Sequence, residues 1–112
     1  MAKKANARGP QMWEAKWVQV QSMDQHRDAR KHLCVAIAIT ADTVTVLPTS
    51  TKPVEARPNQ RPVLWGGVEV YPATNRVYTM PASEWVGSRQ ADAQHQPDRE
   101  IRGFLKQELC RA

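Results

Sequence analysis

No segment of the sequence approaches the length of a membrane span, and the basic, polar Met1–Pro10 stretch has no apolar core of the kind a secretory signal requires. A cytoplasmic protein with no membrane partner is the expectation. Cysteine is scarce, with 2 residues, and neither Cys34 nor Cys110 has a neighbour at metal-ligand or CxxC spacing. Two buried, inert thiols in a reducing compartment are the first reading, and a Cys34–Cys110 disulfide is the alternative. There is no phosphate-binding glycine loop, no HExxH and no GxSxG, which removes the P-loop, zincin and nucleophile-elbow chemistries. The three histidines, His26, His32 and His95, are isolated from one another, and no repeat or low-complexity tract is present.

What is present suits one small globular domain. The 112 residues are 41% hydrophobic and 24% charged, and 8 prolines mostly separate short apolar runs, which favours strands and turns over a helical bundle. The net charge of +5 is uneven. Residues 1–31 carry seven Lys/Arg against three acids, whereas residues 32–96 balance at five against five. RNA, or another polyanion, is the partner this asymmetry suggests.

Residues 1–11 read as a flexible basic leader and 12–112 as the domain. Alternation over Trp13–Gln21 predicts a half-buried strand, with Trp13, Ala15 and Trp17 inward and Glu14 and Lys16 outward. Residues 22–31 form a charged loop or a short helix. Leu33–Ile39 is apolar throughout and predicts a strand buried on both faces. A turn at Ala41–Asp42 joins it to Thr43–Leu47 in a hairpin, which Pro48 ends. Val63–Tyr71 predicts a strand interrupted at Gly66–Gly67, paired in a second hairpin with Arg76–Met80. Ser83–Gly87 is a further strand or a single helical turn. Pro97 opens a helix over 97–110 whose apolar stripe is Ile101, Phe104, Leu105 and Leu109, weakened by Gly103. The fold class expected is α+β: a small, strongly bent antiparallel sheet, SH3-like or half-barrel, with a C-terminal amphipathic helix.

Two strands joined by a tight turn are antiparallel, so the start of the first lies beside the end of the second. The charged loop before Leu33, with His26, Arg27, Arg30 and Lys31, is therefore expected to meet the hydroxyl-rich Thr49–Lys52 at one end of the sheet. Cleavage of an RNA phosphodiester without metal needs a base, an acid and donors for the phosphorane, and these residue types can supply them.

The order of strand, charged loop, apolar strand, short turn and a strand ending in Val46-Leu47-Pro48-Thr49-Ser50-Thr51, closed by a helix, resembles the MazF/PemK and CcdB superfamily of toxin–antitoxin proteins. That resemblance implies an SH3-like barrel, a homodimer, an antitoxin partner, no cofactor, and metal-independent endoribonuclease activity on single-stranded RNA. Carried over by position, Arg30 (or Lys31) is the phosphate-stabilising cation, Thr49 or Ser50 the hydroxyl donor, and His26 a candidate proton carrier. Arg27, Lys31, Lys52 and Arg57 would bind the nucleic acid. The other reading is a non-enzymatic small barrel that binds nucleic acid or protein, through the leader and Trp13, Trp65 or Trp85. It would be an accessory subunit or a phage- or plasmid-encoded inhibitor of a host factor.

Overall fold

A computed structural model describes residues 9–20, 31–54 and 59–111. Its seven strands are β1 (Ala15–Gln19), β2 (Lys31–Ile39), β3 (Thr43–Ser50), β4 (Val63–Trp65), β5 (Val68–Pro72), β6 (Tyr78–Pro81) and β7 (Arg89–Gln90). Two α-helices follow their own stretches, α1 (Ala82–Val86) and α2 (Arg99–Arg111), and 3-10 turns lie at Thr74–Arg76 and Ala93–His95. The strands run in the order β4-β5-β3-β2-β1-β7, with β6 also on β3, and every pairing is antiparallel. The α+β class is as expected: the sheet curls strongly into a half-barrel, and α2 closes it.

The apolar β2 has a core on each face. On one side Leu33 and Val35 pack with Ala15, Leu47, Trp65 and Val70 under Ile101 and Leu105 of α2. On the other, Cys34 and Ala36 pack with Val18, Val44, Val46, Met80 and Trp85. The predicted helical stripe is the one used, because Phe104 and Leu109 flank the first core. The helix starts later than Pro97. Asp98 is its N-cap, with Oδ1 accepting from Ile101 N at 2.9 Å.

Several expectations are corrected. Pro48 does not end its strand: β3 runs on to Ser50, and Pro48 pairs with Cys34. On an extended strand the N and O of one residue face the same edge. Pro48 O accepts from Ala73 N at 2.8 Å on the edge where β3 changes neighbour, from β6 (last pair Val46↔Tyr78) to β5 (first pair Thr49↔Pro72). The missing N–H thus falls in a gap between ladders, where no partner strand needs it. Val63–Tyr71 is two strands. Gly66 and Gly67 have φ of 61° and 83°, the pair of left-handed residues that a type I′ hairpin turn requires. β6 consequently pairs with β3 rather than closing the second hairpin. Residues 82–86 take the helical alternative. Residues 88–96, whose polar sequence reads as a linker, hold β7 and a 3-10 turn, and β7 pairs with β1 through Lys16↔Gln90 and Trp17↔Arg89.

The outward face assigned to β1 is also corrected. Lys16 is 6% exposed, because α1 covers that side of the strand. Trp65 and Trp85 are fully buried, so they belong to the cores and not to a contact surface. Cys34 is buried as expected, but Cys110 is exposed, and neither is in a disulfide.

Two polar devices fasten the ends of the sheet. Gln96 acts as a missing strand beside β1: its Oε1 accepts from Ala15 N at 2.8 Å, and its Nε2 donates to Ala15 O at 3.1 Å and Ala91 O at 2.9 Å. Glu108 of α2 is 0% exposed, and its Oε2 accepts from Arg61 Nε at 2.9 Å and Arg111 Nη1 at 2.7 Å. Arg61 also lies over the Phe104 ring at 5.3 Å, so the segment before β4 is held on the helix.

Candidate functional site

The β2–β3 register carries the start of β2 to the end of β3, as the tight turn requires. Cys34 pairs with Pro48, and continuing that register by two residues sets His32 across from Ser50. The contact is direct: His32 Nδ1 lies 3.0 Å from Thr49 O. A carbonyl only accepts, so Nδ1 carries the proton, and in the neutral ring the basic lone pair is on Nε2.

Lys31 and Lys52 are exposed at this end, and Ser50 is half-buried. Ser50 Oγ accepts from Lys52 N at 3.1 Å, which folds the chain back after β3. Tyr71 is across from Ser50 on β5. Thr49 is different. It is 3% exposed and its Oγ1 donates to Leu33 O at 2.9 Å, a bond that ties β3 to β2. Its hydroxyl proton is used inside the sheet, which leaves Ser50 as the outward hydroxyl of the pair. Arg30, His26, Arg27 and Arg57 lie outside the described residues. His32 is the residue that the sequence reading passed over, because an isolated histidine in an apolar run carries no motif. The register of the hairpin is what brings it to the hydroxyls.

The thiol beneath this end is inert. Burial pushes Cys34 up to about 12, and its Sγ donates weakly to His32 O at 3.4 Å. Burial likewise raises Tyr78 to about 12, with Cys34 and Glu84 adding to the shift. Among the described residues no three His, Cys, Asp or Glu side chains gather as metal ligands, and no helix is long and apolar enough to cross a membrane.

A concave surface lies at the other end of β1. It is an open cleft of about 680 Å³ between residues 9–14, the end of α1, β7 and the start of α2. Trp13, at φ 65°, forms part of its wall, with Lys106 Nζ 5.7 Å from its ring. Lys16 reaches the cleft beneath α1. Its Nζ donates to Val86 O at 3.0 Å and Ser88 O at 3.5 Å, and sits 5.6 Å from the Trp85 ring. Glu14 accepts from Trp85 Nε1 at 3.3 Å.

No protein-family model matches this chain, and no curated protein sequence is significantly similar to it.

Proposed function

We propose that this domain binds single-stranded RNA at the β2–β3 end of its half-barrel and cleaves it without a metal ion, as the resemblance to MazF/PemK toxins implies. The observation that supports this reading is the convergence of Lys31, His32, Ser50 and Lys52 at one end of one hairpin. Lys31 and Lys52 supply phosphate contacts from exposed positions. In the reaction His32 is the base that takes the proton of a ribose 2′-hydroxyl, and the 2′-oxygen attacks phosphorus. The P–O5′ bond breaks, and the 5′-oxygen leaves with a proton from a second acid, for which His26 is the candidate. Ser50 Oγ and Arg30 stabilise the phosphorane. The products are a 2′,3′-cyclic phosphate and a 5′-hydroxyl.

A binding-only barrel is the second reading. What favours it is the Thr49–Leu33 hydrogen bond, which takes one of the two expected hydroxyl donors out of the chemistry. The deciding experiment incubates the purified protein with single-stranded RNA in EDTA and maps the ends formed. Cleavage with cyclic-phosphate ends, abolished by His32→Ala and Arg30→Ala while RNA binding persists, supports the enzyme. Intact RNA with salt-dependent binding that Arg30→Ala merely weakens supports the module and refutes the nuclease. Neither cleavage nor binding refutes both.

A further inference from the structure

The cleft beside β1 contains a charge that no carboxylate among the described residues neutralises. Lys16 is 6% exposed, and its ammonium has two carbonyls and an aromatic face for company but no carboxylate within ion-pair distance among the described residues. A desolvated ammonium held this way is costly, and an anion beside it would repay much of that cost. The side chain lines the cleft, and two carbonyl contacts leave one of its three N–H donors over. Arg102 of α2 lines the same cleft and adds a second cation. Glu14 lines it too, so these three groups sum to one net positive charge.

We propose that this cleft binds a small organic monoanion, a carboxylate, with its charge against Lys16 Nζ and Arg102. Glu14 sets the limit on charge, since a dianion placed between the two cations would also face its carboxylate. Met12 and Trp13 add apolar surface to the lining for the body of the ligand, and Gln90 adds a polar group. A volume of about 680 Å³ is in the range of small-molecule sites. The site is separate from the β2–β3 end: Lys16 pairs with Cys34, whereas Lys31 pairs with Gln19 at the far end of β1. It therefore stands or falls independently of the RNA reading.

The test is isothermal titration and thermal unfolding of the full chain at constant ionic strength. The probes are acetate, benzoate, dimethyl phosphate and sulfate, with chloride as the reference. Saturable binding is expected for the carboxylates, strongest for benzoate, whose ring can use Met12 and Trp13. Lys16→Met removes the buried charge while keeping its length, and folding is expected to survive because apolar replacement of a buried charge is commonly tolerated. Binding is then expected to disappear, and Arg102→Gln is expected to weaken it by about tenfold, the loss of one charge-assisted hydrogen bond. The absence of saturable binding by either carboxylate overturns the proposal, as does equal binding to Lys16→Met. Sulfate bound as tightly as benzoate overturns the monoanion assignment, and dimethyl phosphate bound in preference to both carboxylates overturns the carboxylate in favour of a phosphodiester. Should Lys16→Met fail to fold, the Arg102→Gln titration decides, since that residue is on the helix surface.

Discussion

Replacing Gln96 tests the claim that one side chain completes the β1 ladder. Its amide makes three hydrogen bonds to the backbone of Ala15 and Ala91, residues that are themselves buried. In Gln96→Ala the N of Ala15 and the O of Ala91 lose this partner, whereas Ala15 O keeps the bond from Ala91 N at 3.2 Å. A buried polar group left unsatisfied costs about 1–3 kcal/mol. Gln96 borders the open cleft, so water can reach part of the vacated space, and the lower end of that range applies to each group. The expected loss is about 2 kcal/mol, a large share of a small domain's stability. Gln96→Glu sharpens the test. At neutral pH a carboxylate can still accept from Ala15 N, but it faces two carbonyl oxygens where the amide donated. It is therefore expected to cost at least as much as the alanine. As pH falls the carboxyl gains a proton, one donor returns, and part of the loss is recovered, which the alanine variant cannot do. Urea unfolding followed by tryptophan fluorescence, with the m-value checked for constancy, reads both effects. A loss below about 0.5 kcal/mol in Gln96→Ala at unchanged m would refute the reasoning, and so would a Gln96→Glu variant with no recovery in acid.

Three further outcomes follow from the structure. The double change Arg61→Ala/Arg111→Ala takes two cationic partners from the fully buried Glu108 carboxylate and is expected to cost about 3–5 kcal/mol. Glu108→Leu releases two half-exposed arginines to water and is expected to cost clearly less; the reverse order in chemical denaturation would show that the carboxylate is not the vulnerable partner. For the thiols, a disulfide-exchange reagent is expected to modify one group per native chain, Cys110, and a second only on unfolding. Because folding raises Cys34 from 9.0 to about 12, its contribution to stability is fully present below pH 9 and is lost as pH rises toward 12. The slope approaches about 1.4 kcal/mol per pH unit within that window. Tyr78 acts in the same direction above pH 10, more weakly because it is half-exposed. In Cys34→Ala the fall in stability above pH 9 is expected to flatten; an unchanged fall would assign it elsewhere.

The sequence made legible what local periodicity encodes. Leu33–Ile39, Thr43–Leu47, the turn between them and the stripe from Ile101 to Leu109 are patterns confined to a few residues, and each forms its element as read, although β2 is buried on both faces only from Leu33 to Ala36 and Ala38 is exposed. The convergence of the β2 start with the Thr49 region followed from that hairpin alone. What stayed hidden depends on contacts distant in sequence. Pro48 looked like a terminator because its tolerance rests on where β5 and β6 lie. The Gly66–Gly67 pair looked like a break within one strand, since a turn and a bulge draw on the same residue type. Lys16 looked solvent-facing because alternation sorts residues by polarity, and nothing local reveals that the carbonyls ending a helix seventy residues later will receive the ammonium. Among candidate site residues, Ser50 and Lys52 stay accessible, Thr49 turned inward, and His32 became visible only through register.

The pairing of β1 with both β2 and β7 has a consequence for the order of assembly. Residues 15–19 leave a ribosome well before their partners Arg89, Gln90 and Gln96 do. Until they emerge, one edge of β1 has nothing to pair with, and the ammonium of Lys16 has no helix end to receive it. Closure over so long a separation is slow in comparison with the β2–β3 hairpin. A nascent chain halted before residue 89 would therefore present an open strand edge to any chaperone or to another nascent copy, until residues 89–96 emerge and cover it.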